Sequence, residues 1–347
     1  MYRRAYALLV GIAVAMGSLA LLVGWQVGRP VVDPDGFLGP AVVRVPLLIL
    51  GALALDFLPR TLWGGRGNPR RMREIAAHRW RTHWNRDRIL LVVLGLVCFY
   101  TTYVAYRNLK SALPFVMGPN KYDRELHLID QWLFLGNEPA VVLHEVFGWA
   151  PIAHALSSIY LWFLPLVPLA MAAWVVWSRN ISFGYWFATS QSIIWTLGTA
   201  SYYLLPTLGP GFEYPWLYED LAETGTSTLM DSLFYGREAV LHRDLQDAVQ
   251  SVAGFASLHT GVTLLFALMA QYTIRSRIVH WVFWVNFAVT VVATLYFGWH
   301  YVMDDVGGVV IALIAFYVGG LASGQKFDRK GLASHPTTTT SAVPVDD

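Results

Sequence analysis

Residues 149–177, WAPIAHALSSIYLWFLPLVPLAMAAWVVW, run for 29 positions without a single Asp, Glu, Lys or Arg. As a helix rising about 1.5 Å per residue, this stretch exceeds the roughly 30 Å of hydrocarbon in a bilayer, so it reads as a membrane span. Working outward, seven further apolar runs recur: Ala5 to Val27, Gly39 to Leu58, Ile89 to Tyr106, Phe183 to Leu205, Gly254 to Tyr272, Val279 to Phe297 and Val306 to Ala322. Of 347 residues, 55% are hydrophobic and 14% charged, and the mean hydropathy is +0.45. A soluble domain would carry about 25% charged residues. The expected fold is all-α: a polytopic transmembrane helical bundle of about eight spans.

No polar or Pro-Ser-rich linker separates the runs, so a single membrane domain is expected. Within it, residues 1–88 hold two N-terminal spans and a basic loop, 89–323 a catalytic unit, and 324–347 a tail expected to be disordered, with the Thr337–Thr340 tract. Met1-Tyr2-Arg3-Arg4 ahead of an apolar stretch imitates a secretory signal. That stretch outlasts an h-region and lacks a small-residue cleavage site, so it reads as a retained first span. The lone Cys98, inside the third run, forms no intramolecular disulfide and reads as packing.

Nine arginines (Arg60, Arg66, Arg70, Arg71, Arg73, Arg79, Arg81, Arg86 and Arg88) crowd one loop, and a loop so basic resists translocation. It is expected on the cytoplasmic side of a plasma membrane. Eight spans then place Arg3, Arg4, Arg179, Arg275, Arg277, Lys326, Arg329, Lys330 and both termini on that side. His259, His300, Asp304 and Asp305 fall at the opposite, extracytoplasmic boundary. The basic loop also suits anionic lipid heads, although topogenic bias explains it without them. A formal net charge of +2 gives no reason to expect a nucleic-acid partner, and nothing in the chain speaks to its oligomeric state.

Two long segments join the spans on the histidine side. The first, Arg107 to Gly148, contains the amphipathic stretch Leu126-His127-Leu128-Ile129-Asp130-Gln131-Trp132-Leu133-Phe134, which suits either an interfacial helix with its apolar face in the acyl region or a cap over the bundle. The second opens with Pro206-Thr207-Leu208-Gly209-Pro210-Gly211-Phe212, turn-formers that end the fifth span abruptly, and leads to Arg237, His242 and Arg243.

Ionisable groups at the edge of hydrocarbon are costly, so by default they propose a functional site. His300 and Asp304 are four residues apart, which puts them on one face of a helix beginning at His300, where the carboxylate can hold an imidazole nitrogen. A neutral imidazole so oriented can attack phosphorus, and the aspartate stabilises the cation that develops. His259, from the preceding span but at the same boundary, can protonate the departing oxygen, and Ser257 offers a hydroxyl to a phosphoryl oxygen. Arg107, Lys110, Arg237 and Arg243 are the candidates for neutralising the phosphate. Asp305 reads as a carboxylate complementing the helix dipole, and Gly307-Gly308 as a site of close helix packing.

These stretches resemble the type 2 phosphatidic acid phosphatase superfamily. Ala256-Ser257-Leu258-His259 is similar to its second signature, Gly298-Trp299-His300-Tyr301-Val302-Met303-Asp304 to its third, and Pro206-Thr207-Leu208-Gly209-Pro210 to the position of its first. Arg107-Asn108 resembles a pair found upstream in the inositol phosphorylceramide synthase-like branch. The resemblance implies a phosphohistidine at His300 relayed by Asp304, His259 as the acid, and neither metal nor cofactor. The chain departs from the pattern at Ala256, where proline is usual, at Thr294, where many members place a phosphate-binding arginine, and in the Pro206 turn, which lacks the usual lysine and arginine.

The expected function is therefore that of a metal-independent lipid phosphatase or phosphotransferase acting on a phospholipid or polyprenyl phosphate, with the branch resemblance favouring transfer to a hydroxylated acceptor. Two alternatives remain from the residues alone. His259, His300 and Asp304 would be acceptable zinc ligands in a membrane hydrolase. A lipid transporter or scaffold would use the histidines as proton relays. A rhomboid-like protease is disfavoured because Ser257 lacks Gly-x-Ser-x-Gly surroundings.

Overall fold

Each of the eight apolar runs forms a helix. The computed structural model describes residues 2–34, 41–119, 121–178, 180–242 and 252–327. Its helices are α1 (Arg3–Val27), α2 (Ala41–Gly65), α3 (Pro69–Thr82), α4 (Arg86–Met117), α5 (Asp123–Leu133), α6 (Pro139–Phe147), α7 (Ala150–Trp177), α8 (Ile181–Leu204), α9 (Pro210–Glu213), α10 (Gly225–His242), α11 (Leu258–Thr273), α12 (Arg277–Tyr296) and α13 (Val302–Ala322). Among the described residues there is no strand. Arg179, Arg243, Arg329, Lys330 and the Thr337–Thr340 tract lie outside the described residues.

Among the described residues six helices, α1, α2, α4, α7, α12 and α13, are long and apolar enough to cross a membrane, two fewer than the eight spans expected. The two exceptions have a physical cause. In α8, 18 of 24 residues are buried, and these include Ser182, Thr189, Ser190, Gln191, Ser192, Thr199 and Ser201. In α11, only 16 residues long, 13 are buried. Both are inner helices, packed on α4, α7, α12 and α13 rather than facing outward. A helix surrounded by protein can hydrogen-bond its polar groups to its neighbours, as Ser190 does to the Ala315 carbonyl at 2.9 Å and the Trp186 indole to that of Phe316 at 2.7 Å. By contrast, α12 buries only four residues and exposes Ile278, Trp281, Val282 and Val285.

The arginine-rich segment closes one end of the bundle. Asn68 caps α3, accepting from the Arg70 and Arg71 amides. The buried Asp56 of α2 accepts from Arg79 Nε and Nη2, both at 3.0 Å, from Trp84 Nε1 at 2.9 Å and from Arg60. The Arg88 guanidinium reaches the Val175 and Ser178 carbonyls at 3.1 and 2.8 Å, and His83 Nε2 donates to Val176 O at 2.8 Å. These contacts satisfy carbonyls that the last turn of α7 leaves without helical partners.

At the other end, α5 forms the amphipathic helix expected outside the spans. It is fixed by buried aspartates. Asp123 accepts the Leu208 and Gly209 amides at 3.0 and 2.9 Å, and Asp130 accepts the Val302 amide at 3.1 Å. Of the two roles open to this stretch, the hydrogen bonds show capping of the bundle; Leu128, Trp132 and Leu135 stay exposed on the helix and just past it.

Candidate active site

Both histidines sit at helix starts. Ser257 is the N-cap of α11, its hydroxyl accepting from the Thr260 amide at 3.3 Å, and His259 follows in the first turn. Tyr301 caps α13, which starts four residues earlier than the apolar run suggests and takes Asp304 and Asp305 into its first turn. Asp304 Oδ2 accepts the Tyr301 amide at 3.0 Å and stands 3.3 Å from His300 Nδ1. One carboxylate oxygen thus closes the helix start and faces the imidazole. The other, Oδ1, is buried without a hydrogen-bond partner.

The Pro206–Gly211 turn gathers the two histidine-bearing segments. Thr207 accepts the Gly254 amide on its carbonyl and the Phe255 amide on its hydroxyl, both at 2.8 Å, while the Gly211 amide donates to Gly298 O at 2.7 Å. The Ser257 amide donates to Asp304 O at 2.9 Å, joining the second segment to the third directly. Glycine is required where these backbones meet. Gly209 has φ +104°, and a Cβ there would lie 2.5 Å from Trp299 O. A Cβ on Gly308 would lie 2.3 Å from Ser257 O, so α13 passes directly beneath the start of α11, the close packing expected of Gly307-Gly308.

The rings of His259 and His300 are 6.4 Å apart, centroid to centroid. A reacting atom held about 3–3.5 Å from each fits between them. His300 is 6% exposed; burial, aided by the Lys110 ammonium and opposed by Asp305 and a hydrogen bond to Gly254, pulls its imidazole down to about 4. The ring is therefore neutral at neutral pH, with a lone pair to offer. Among the described residues no three or more His, Cys, Asp or Glu side chains are grouped to hold a metal ion.

The four candidate cations separate clearly. Lys110, on α4, lies over the Tyr106 and Tyr202 rings at 5.9 and 5.2 Å, and its charge acts on both His259 and His300. It has no carboxylate partner among the described residues. Arg107, one turn earlier, donates to Tyr103 Oη at 3.1 Å. Arg237 pairs with Glu238 at 2.8 Å and lines a cavity of about 70 Å³ with Leu113, Met117, Lys121 and Thr207. Arg243 lies outside the described residues. Ser257, whose hydroxyl caps α11, is engaged within the protein.

Asp305 does more than complement a dipole. Its carboxylate accepts from Thr260 of α11 and, at 2.9 Å, from Thr294 of α12, so it ties three helices together. Thr294, at the position where the resemblance expected an arginine, thus serves a carboxylate. Asp123, which also accepts from Tyr301 Oη at 3.1 Å, and Asp130 were missed from sequence. Both carboxyls are pushed up by burial, Asp130 to about 7 with help from the nearby charges of Asp304, Glu138 and Asp305. Asp130 stands in the amphipathic stretch, but the backbone amide it serves lies 172 residues away, with no local signal.

A family model described as the PAP2 superfamily matches residues 124–318, more than half of the chain. No curated protein matches the chain, and no solved structure does.

Proposed function

Because the chain belongs to the PAP2 superfamily and is a multi-pass membrane protein of the lipid-phosphatase type, we propose that it carries a phosphoryl-bearing group from a lipid phosphate through a phosphohistidine at His300. The observation that carries this reading is the pairing of His300 Nδ1 with Asp304 at 3.3 Å, with a second imidazole 6.4 Å away, centroid to centroid. His300 Nε2 attacks phosphorus, Asp304 stabilises the cationic ring, and the bond from phosphorus to the leaving oxygen breaks as His259 gives that oxygen a proton. His259 then takes a proton from water or an alcohol, whose oxygen attacks phosphorus and frees His300. Lys110 neutralises the phosphoryl oxygens, and no metal takes part.

The substrate is a phospholipid or polyprenyl phosphate, and the resemblance to the inositol phosphorylceramide synthase-like branch favours transfer to an alcohol over hydrolysis. We place the catalytic unit at residues 89–323, since Lys110, whose charge acts on both histidines, precedes the matched region. The arginine-rich and histidine-bearing ends lie at opposite ends of α4, which supports a site on the extracytoplasmic face of a plasma membrane with both termini inside.

Incubating the purified protein with labelled phospholipids and polyprenyl phosphates in EDTA tests the reading. Labelled phosphate or a new phosphorylated lipid is expected from the wild type and neither from His300→Ala. Activity surviving in that variant removes His300 from its role, and loss on chelation calls for a metal.

A further inference from the structure

His300 is aligned by a carboxylate, whereas His259 has none within ion-pair distance among the described residues. Aromatic rings surround it instead. The Tyr160 ring, 2% exposed on α7, stacks on His259 at 4.3 Å between centroids and 14° between planes, with its hydroxyl 3.5 Å from Nδ1. The Tyr160 ring also stacks on Trp299, at 5.6 Å and 18°. Trp299 immediately precedes His300. One turn along α7, Phe163 packs on His259 at 4.1 Å, tilted 37°.

We propose that Tyr160 is a positioning residue, a wedge between the two histidine-bearing segments that sets the spacing of nucleophile and acid, with Phe163 holding the His259 ring in plane. The proposal rests on His259 being the acid. Three nearly parallel rings in series, His259, Tyr160 and Trp299, fix the acid against the residue beside the nucleophile, and ring pairs at these separations hold a defined geometry. The wedge acts through an unbranched ring, so the hydroxyl is secondary.

The test compares Tyr160→Leu, Tyr160→Phe, Phe163→Leu and His259→Ala on two substrates. One is an alkyl lipid phosphate, whose leaving alkoxide needs a proton; the other is nitrophenyl phosphate, whose leaving group does not. A displacement of about 1 Å costs on the order of 10²-fold in rate. Read as the single-turnover rate of phosphoenzyme formation, which precedes the step where His259 acts as base, Tyr160→Leu is accordingly expected to lose about 10²-fold on the alkyl substrate with substrate affinity unchanged, and little on nitrophenyl phosphate. Tyr160→Phe should restore the rate to within about threefold, and Phe163→Leu should fall between the two. Equal losses on both substrates, or a loss in Tyr160→Phe as large as in Tyr160→Leu, would overturn the wedge; Tyr160→Phe keeps the ring and hence the packing, so its result stands even where the leucine variant fails to fold. If His259→Ala itself shows no dependence on the leaving group, the assignment of the acid fails. Discrimination by His259→Ala without discrimination by Tyr160→Leu removes the wedge alone.

Discussion

At the arginine end of the bundle most of the basic charge is left on the surface, whereas at the histidine end four aspartates are buried and answered by backbone amides and hydroxyls. Arg66, Arg70, Arg71, Arg73, Arg81 and Arg86 are exposed, and Asp56 is the one buried carboxylate there among the described residues. Opposite, Asp123, Asp130, Asp304 and Asp305 are all nearly inaccessible and accept from Leu208, Gly209, Val302, Tyr301, Thr260 and Thr294. Surface charge of the first kind sets orientation and tolerates exchange; buried charge of the second kind fixes geometry, because an unmatched buried carboxylate is costly.

If the two ends differ in this way, substitutions should separate them. The largest effect is expected from His300→Ala, at least about 10³-fold in kcat with loss of any acid-labile phosphoenzyme captured from labelled substrate, while Arg71→Ala leaves both unchanged. Next, Lys110→Gln should lower kcat/KM by about 10²-fold and Arg107→Gln by far less; equal losses would return the choice of cation to an open question. Asp56→Ala should reverse the pattern. It is expected to cost about 2 kcal/mol of stability, less than the 3–5 kcal/mol of a fully buried pair because Arg60 is half exposed, with activity per folded molecule intact.

Two pH measurements sharpen the contrast further. With His300 at about 4, the acid limb of kcat/KM should lie near pH 4, well below the 6.5 of an ordinary imidazole, and a limb at 6.5 would mean that the ring is hydrated. The smallest effect concerns Asp130. Its folded carboxyl, raised to about 7, binds a proton that the unfolded chain has released above about 4, so stability falls as pH rises from 4 to 7 and then levels. Asp130→Asn should flatten that decline by a few degrees in Tm, as thermal unfolding at pH 4.5 and 7.5 would register.

What could be seen in the chain beforehand follows from the range over which each interaction acts. The His300–Asp304 pair was visible because four residues are one helical turn, and the eight helices because apolar runs of that length have few alternatives. The inner position of α8 was hidden, since an apolar run does not say which helices surround it; only Ser190 meeting Gly319 and the Ala315 carbonyl reveals that. Lys110 could not be told from Arg237 by spacing, as both lie on helices other than those that begin at the histidines. Asp123 and Asp130 were illegible for the same reason, their partners being amides 85 to 172 residues away.

The oxygen that Asp304 shares between the Tyr301 amide and His300 means that imidazole alignment and helix nucleation are one event. Under the proposed phosphohistidine mechanism, whatever unwinds the opening turn of α13 also disarms the imidazole, so local fraying silences the chemistry without any change at the substrate itself.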